Sequence, residues 1–232
     1  HHATVLIGTV AYIDNNTQGT NVTYYDLPVT NFKDASMNYN IANTNKLGNG
    51  YEGVLHKVNS LFGRVTYDYN GKYLFTGIIR RDGSSRFGSN NKYGYFPSAS
   101  VGWVPTLEKF WPENRVVSFL KIRGSYGITG NDNIGDFKYV STVSGGRNYT
   151  FGNDYYIGYS PDAPANPDLK WEETSQANIG FDAILFKNFN LTFDIYKKRT
   201  TGMLLQVQLP GYVGATGQPW GNIADMNNQG FE

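Results

Sequence analysis

The chain has no cysteine and only three histidines. Without cysteine, disulfide staples, thiolate metal sites and cysteine nucleophiles are all excluded. His1 and His2 stand at the start, and no Ser, Asp or Glu arrangement around His56 suggests a catalytic triad. Glu172 and Glu173 are adjacent, so on a strand they point to opposite faces, a poor start for acid–base chemistry. Little in the chain points to an enzyme, and no cofactor is expected. Charge is scarce too, at 17% of residues, and it nearly cancels: 20 basic against 19 acidic residues, net +1. That balance gives no electrostatic case for nucleic acid. No apolar run approaches the roughly 18 residues of a membrane-spanning helix, and no charged-then-apolar leader is readable at the start.

What the chain has in quantity is glycine (27), tyrosine (18) and phenylalanine (14). Aromatic and β-branched residues suit a pleated surface, and Gly and Asn suit its turns. Several stretches alternate with period two, as a strand with two unlike faces does. Between Trp171 and Phe186, one parity holds Ala177, Ile179, Phe181, Ala183 and Leu185, and the other holds Glu172, Thr174, Gln176, Asn178, Gly180 and Asp182. Leu191, Phe193 and Ile195 alternate with Thr192, Asp194, Tyr196 and Lys198. Leu120, Ile122, Tyr126 and Ile128 oppose Lys121, Arg123 and Ser125. Leu61, Val65, Tyr67 and Tyr69 oppose Arg64, Thr66 and Asp68, and the next strand sets Tyr73, Phe75, Gly77 and Ile79 against Thr76, Arg80 and Asp82.

The turn between these last two can be chosen by register. A two-residue Asn70-Gly71 loop sets Tyr67 against Leu74. A three-residue loop, Asn70-Gly71-Lys72, sets Tyr69 against Tyr73, Tyr67 against Phe75 and Val65 against Gly77, which keeps the apolar faces together. The connections then run long (about 14–54), short (70–72), long (about 83–94), medium (105–115), long (130–170), short (187–190), and a long tail from Gly202. In an up-and-down antiparallel sheet, every second connection lies on the same side. One side therefore carries the long loops, the layout of outer-membrane barrels. Aromatics gather beside the short turns (Tyr67, Tyr69, Tyr73 and Phe75; Trp103, Phe110 and Trp111; Phe186, Phe189 and Phe193), as interfacial girdles do. The strand pattern alone fits a soluble sandwich equally well. The loop asymmetry favours an all-β fold of antiparallel up-and-down strands forming part of a large transmembrane barrel wall, with about seven strands readable.

The segments "ATVLIGTVAY" (3–12), "GRVTYDYNGKYLFTGIIRRDGSSRFGSNNKYGYFPSASVGW" (63–103), "LKIRGSYGITGNDNIGDFKY" (120–139), "NPDLKWEETSQANIGFDAILFKNFNLTFDIYKKRTTGMLL" (166–205) and "GNIADMNNQGFE" (221–232) resemble, in order, the barrel of SusC/RagA-type TonB-dependent outer-membrane transporters of Bacteroidota. The resemblance covers nearly the whole chain apart from stretches around 14–54 and 140–165. It implies an outer-membrane location, barrels of about 22 strands around an N-terminal plug, import of a glycan or peptide, energy from TonB, and a SusD-like lipoprotein lid. About seven strands are too few to close such a barrel. No plug is readable, and both ends fall in mid-pattern. The expectation is thus a single section, residues 1–232, of the C-terminal half of the barrel, contacting outer-membrane lipid, with the plug and the TonB-contacting part elsewhere. Isolated, its open edges predict that it does not fold stably in water. The competing reading is a soluble β-rich carbohydrate-binding module.

On this reading Arg64, Asp68, Arg80, Arg123, Asp182, Asp194 and Lys198 face the lumen, either lining a watery path or meeting the plug. Ser98, Ser100 and Gly102 share that face, with Ala99, Val101 and Trp103 toward lipid. Tyr93, Tyr95, Tyr155, Tyr156 and Tyr159 lie in or beside long loops, where aromatic faces suit sugar rings, the lid, or plain loop packing. Arg80, Arg81, Asp82 and Arg86 read as a charged cluster at the barrel mouth or as an ion-pair network that shapes a loop. The polar tip between Gly83 and Gly94 is expected to be solvated. "GNDNIGD" (130–136) hints at a calcium loop through Asp132, Asn133 and Asp136, but lacks the full ligand spacing and a distal Glu.

Overall fold

A computed structural model describes residues 1–14, 19–36, 42–51, 55–112, 116–215 and 217–232. Eight strands form one antiparallel sheet: β1 (His2–Asp14), β4 (His56–Tyr69), β5 (Tyr73–Ser84), β6 (Tyr93–Trp103), β7 (Val117–Asn131), β12 (Glu172–Leu185), β13 (Phe189–Gln206) and β14 (Trp220–Phe231), neighbours in that order. Within this sheet each strand neighbours the sheet strand that follows it along the chain, so the sheet is up-and-down. β14 is a strand more than the sequence pattern offers. Its stretch "WGNIADMNNQGF" scatters polar residues over both parities, so no face can be read, and its pairing with β13 defines it instead.

The remaining strands are short. β2 (Gly19–Tyr24) and β3 (Lys46–Tyr51) form a separate antiparallel ribbon. Within the long β7–β12 connection, β8 (Val143–Ser144) pairs with β11 (Ser160–Pro161), and β9 (Tyr149–Phe151) pairs with β10 (Asp154–Tyr156).

The β4–β5 register is that of the three-residue loop: Tyr69 opposes Tyr73, Tyr67 opposes Phe75 and Val65 opposes Gly77. Asn70 (φ 52°) and Gly71 (φ 70°) are both left-handed, and the Asp68 carboxylate accepts the Gly71 N–H at 2.6 Å. The β12–β13 turn has the same build one residue earlier than the sequence suggests. Leu185 opposes Phe189, and Phe186 (φ 51°) and Lys187 (φ 65°) turn the chain.

Among the described residues these eight strands join in one continuous sheet and are not divided between two, as the strands of a sandwich would be. Buried apolar side chains are few. Phe87, Phe96, Ile134, Leu169, Trp171 and Leu204 form one cluster, flanked by Ile128, Tyr139 and Trp220. It lies at the long-loop end. β6 and β7 pair only from Ser98/Gly127 to Trp103/Ile122. Beyond that point the strands part, and the Phe96 ring lies against Gly94 and Gly130, where a Cβ on either glycine would collide with it. The loop tip expected to be solvated is instead partly covered: Asp82, Gly83, Ser84, Phe87 and Gly88 are buried, and exposure is confined to Ser89, Asn90, Lys92 and Tyr93. Polar composition misled here because a single phenylalanine in the loop anchors it.

At the short-turn end, ring pairs line the sheet: Tyr69–Tyr73 at 6.0 Å, Trp103–Phe110 at 6.5 Å and Phe181–Phe193 at 5.9 Å between centroids. Glu108, in the turn after β6, ties to this girdle. Its side chain is 13% exposed and accepts from the Tyr73 phenol and from the Lys72 ammonium at 3.0 Å. These donors, Tyr73 foremost, hold the Glu108 carboxyl below its ordinary pKa. A carboxylate lowered on folding contributes stability above its unfolded pKa and loses it as pH falls through the folded value. Glu108→Gln is therefore expected to lower the thermal unfolding midpoint of the full-length protein near neutral pH, and the gap from wild type should close as pH drops below the carboxylate range. A gap that stays constant with pH would show that the Glu108 charge does not contribute.

Candidate functional site: a two-faced wall

Register decides which side chains share a face, because directly opposed residues on neighbouring strands point the same way. One row runs Tyr67–Phe75–Val101–Gly124–Ile179–Ile195–Phe231, and the row below it runs Tyr69–Tyr73–Trp103–Ile122–Phe181–Phe193. Above them Val65–Gly77–Ala99–Tyr126–Ala177 leads to Lys197 on β13. The two lower rows carry no charge, nor does the third before Lys197, yet many of these residues are open to the surroundings: Ile179 is 68% exposed.

The other face is polar. One row reads Thr66–Thr76–Ser100–Ser125–Asn178–Tyr196, flanked by Arg64–Ile78–Ser98–Gly127–Gln176–Lys198 and by Asp68–Leu74–Gly102–Arg123–Gly180–Asp194. Two adjoining open hollows of about 330 and 370 Å³ follow this hydroxyl- and amide-rich surface and share Thr76, Ser100, Ser125 and Asn178.

All seven charged candidates, Arg64, Asp68, Arg80, Arg123, Asp182, Asp194 and Lys198, carry the parity of the polar face, but their surroundings differ. Arg123 is the hub of a node: its guanidinium meets Asp182 at 3.2 Å and Asp194 at 2.5 Å. A planar fork between two carboxylates on adjacent strands locks register as well as charge. Arg80 binds Asp82 at 2.7 Å and the buried Ser60 hydroxyl at 3.2 Å. Asp68 serves the β4–β5 turn. Arg64 and Lys198 have no ion-pair partner among the described residues, and Lys198 borders the second hollow.

Arg80, Arg81, Asp82 and Arg86 do not form one cluster. Arg81 lies on the apolar face, opposite Leu61 and Tyr95. Arg86 reaches across to the next loop, donating to the Asp132 carbonyl at 3.2 Å and pairing with Asp136 at 3.4 Å. The Asp132 carboxylate accepts from the Ser84 hydroxyl at 2.7 Å. Both carboxylates of the suspected calcium loop thus join two loops together, and no group of three metal-ligating side chains occurs among the described residues.

The tyrosines separate into two groups. Tyr93 and Tyr95 are strand residues on the apolar face of β6, opposite Gly83 and Arg81. Tyr155 and Tyr156 lie on the β9–β10 hairpin with Tyr159 just beyond, all exposed, and Tyr156 stacks on Tyr149 at 5.4 Å with 17° between planes. No pattern in the sequence marks the Phe87–Phe96–Trp171 cluster that supports these loops. Its members come from separate loops and strands with no shared periodicity.

A family model described as TonB dependent receptor-like, beta-barrel matches residues 2–232. TonB-dependent receptor P39 of Formosa agariphila is 40% identical over 194 residues, 83% of this chain and 18% of the receptor. TonB-dependent receptor SusC of Bacteroides thetaiotaomicron is 40% identical over 179 residues, 75% of this chain and 18% of that receptor. Among solved structures, the RagAB peptide importer in its closed-closed state superposes with a TM-score of 0.78 at 27% identity, covering 99% of this chain and 24% of that one. The chain thus spans about a fifth of the length of the receptors it matches. Up-and-down strands, two unlike faces and long loops at one end all agree with these matches: the chain belongs to the TonB-dependent receptor β-barrel family, of the SusC/RagA type, as a section of an outer-membrane barrel wall.

Proposed function

We propose that this section forms wall and outer loops of a TonB-dependent importer of glycans or peptides, with the apolar face against lipid, the polar face toward the lumen, and no reaction of its own. The observation that carries this reading is the segregation of faces across six hydrogen-bonded strands. An exposed band without charge suits hydrocarbon, and a hydroxyl- and amide-rich face suits a watery path or a plug. Arg64, Asp68, Arg80, Arg123, Asp182, Asp194 and Lys198 then belong to the lumen. The long loops point outward, where a SusD-like lipoprotein lid closes over substrate, and TonB acts through the plug-bearing part of the receptor.

The β9–β10 hairpin is the contact we assign to substrate or lid, because it presents Tyr155, Tyr156 and Tyr159 beside Asn153 and Asp154. Tyr93 and Tyr95 fit an upper aromatic girdle better, since they continue the apolar face. The test is uptake of defined oligosaccharides and oligopeptides by cells carrying the full-length receptor, its deletion, or a Tyr155→Ala/Tyr156→Ala variant. Deletion should abolish uptake of one class, and the double variant should reduce that uptake at unchanged surface abundance. Uptake of both classes unaffected by deletion would refute the importer reading.

A further inference from the structure

The apolar face ends in cations. On β5 the first residue of that face beyond Ile79 is Arg81, and on β13 the first beyond Ile195 is Lys197, with Arg199 next. Their relative height follows from register. The row of Lys197 passes through Ala177, Tyr126 and Ala99 to Gly77, four residues short of Arg81 on β5. Four residues are about 13 Å along a strand, and four strand spacings are about 19 Å. A line from Lys197 to Arg81 therefore inclines about 35° to the rows, and barrel strands tilt by about 35–45°. The two cations consequently sit at one level in the membrane, directly above the uncharged band.

Neither cation has an acidic partner among the described residues. The Arg81 guanidinium lies over the Tyr93 ring at 3.8 Å, and its Nε is buried without a hydrogen-bond partner. Tyr95 lies directly opposite it. Lys197 is exposed, with the Gln229 amide opposite. Arg199, one step higher, is held by Asp225 at 3.2 Å, which leaves the Lys197 charge uncompensated.

We propose that this rim binds phosphate-bearing headgroups of outer-leaflet lipid, one at Lys197 and one at Arg81. The proposal rests on the apolar face meeting lipid. Ammonium, guanidinium, amide and phenol donors suit phosphate oxygens, and the uncharged rows directly below suit the acyl chains of the same molecule. A free anion would leave those rows unused.

The test uses the full-length receptor extracted in non-ionic detergent, with retained phosphorylated lipid read by native mass spectrometry. Arg81→Gln/Lys197→Gln is expected to lower retention at least about tenfold, since each position loses a charge-assisted contact. Lys198→Gln, on the opposite face, is expected to leave retention unchanged. Equal retention by wild type and the double variant overturns the proposal, as does delipidated protein that holds inorganic phosphate as well as it holds lipid phosphate. Val101→Cys and Ile195→Cys variants, probed with a water-soluble maleimide, separate the two readings. Labelling at both would mean that the apolar face does not meet lipid. Shielding at both, with retention unaffected by the double variant, rejects the headgroup sites alone.

Discussion

Ile179→Arg is expected to block assembly of the full-length protein into the outer membrane, whereas Asn178→Asp, one residue away, is expected to assemble normally. Ile179 lies in the uncharged row between Gly124 and Ile195, is 68% exposed, and has only apolar residues and glycine beside it. On a water-facing sheet such a change would stay within about 0.5 kcal/mol. On a lipid-facing one, arginine near the bilayer midplane costs about 2–4 kcal/mol, and no acidic group stands in its row or in the two rows beside it to offset the charge. Asn178 points the other way, onto the surface that also carries Arg123 and Lys198, where a new carboxylate meets cations. The measurement is the amount of heat-resistant, folded receptor in the outer-membrane fraction. Normal assembly of Ile179→Arg would mean that this face does not meet lipid.

The contrast between adjacent residues also shows why so much of the sheet was legible in the sequence. A strand with unlike faces writes its orientation into every second residue, so β4, β7, β12 and the first half of β13 could be read directly, β5 less cleanly because Leu74 and Ile78 share its polar parity, and the Tyr69–Tyr73 register followed from matching faces. The layout of loops at one end followed in turn from their lengths. Where both parities are polar, the signal vanishes, as in β14. The second half of β13 was also hidden. Its register shifts between Thr200 and Leu204, and left-handed Gly202 (φ 63°) marks the irregularity.

Site residues were legible as a face but not as partners. Parity placed Arg123, Asp182 and Asp194 on one side. That Arg123 bridges both carboxylates depends on strands that are neighbours in the sheet but 59 and 71 residues away along the chain. Tyr93 and Tyr95 looked like loop residues because they border a polar tip, yet strand pairing carries them onto the apolar face. The loops themselves were the least legible. Their order comes from contacts between distant segments, such as Ser84 with Asp132 and Asn91 with the Asp168 carbonyl at 2.9 Å.

Trp171 also ties the outer loops together, and Trp171→Ala is expected to open them while leaving the strands paired. Trp171 is 7% exposed; its ring lies 5.2 Å from Phe87 and 5.4 Å from Phe96, and its Nε1–H donates to the Lys92 carbonyl at 3.3 Å. Removing a buried tryptophan costs about 3–5 kcal/mol. Here the loss falls on a small cluster drawn from several segments: Phe87 from the β5–β6 loop, Phe96 from β6, Ile134 and Leu169 from the β7–β12 connection, and Leu204 from β13. The sheet keeps its backbone ladder and its lipid-facing band, so the damage stays local. Limited proteolysis of the full-length receptor should cut near residues 84–92 and 132–139 in Trp171→Ala and spare wild type. Trp171→Phe, which keeps a ring but loses the hydrogen bond, should fall between them. If the importer reading holds, Trp171→Ala should also lose most uptake at unchanged surface abundance, because the tyrosine hairpin would then stand on a mobile base. Loops as resistant in Trp171→Ala as in wild type would show that the polar contacts, Ser84 with Asp132 and Arg86 with Asp136, hold the outer surface without the aromatic cluster.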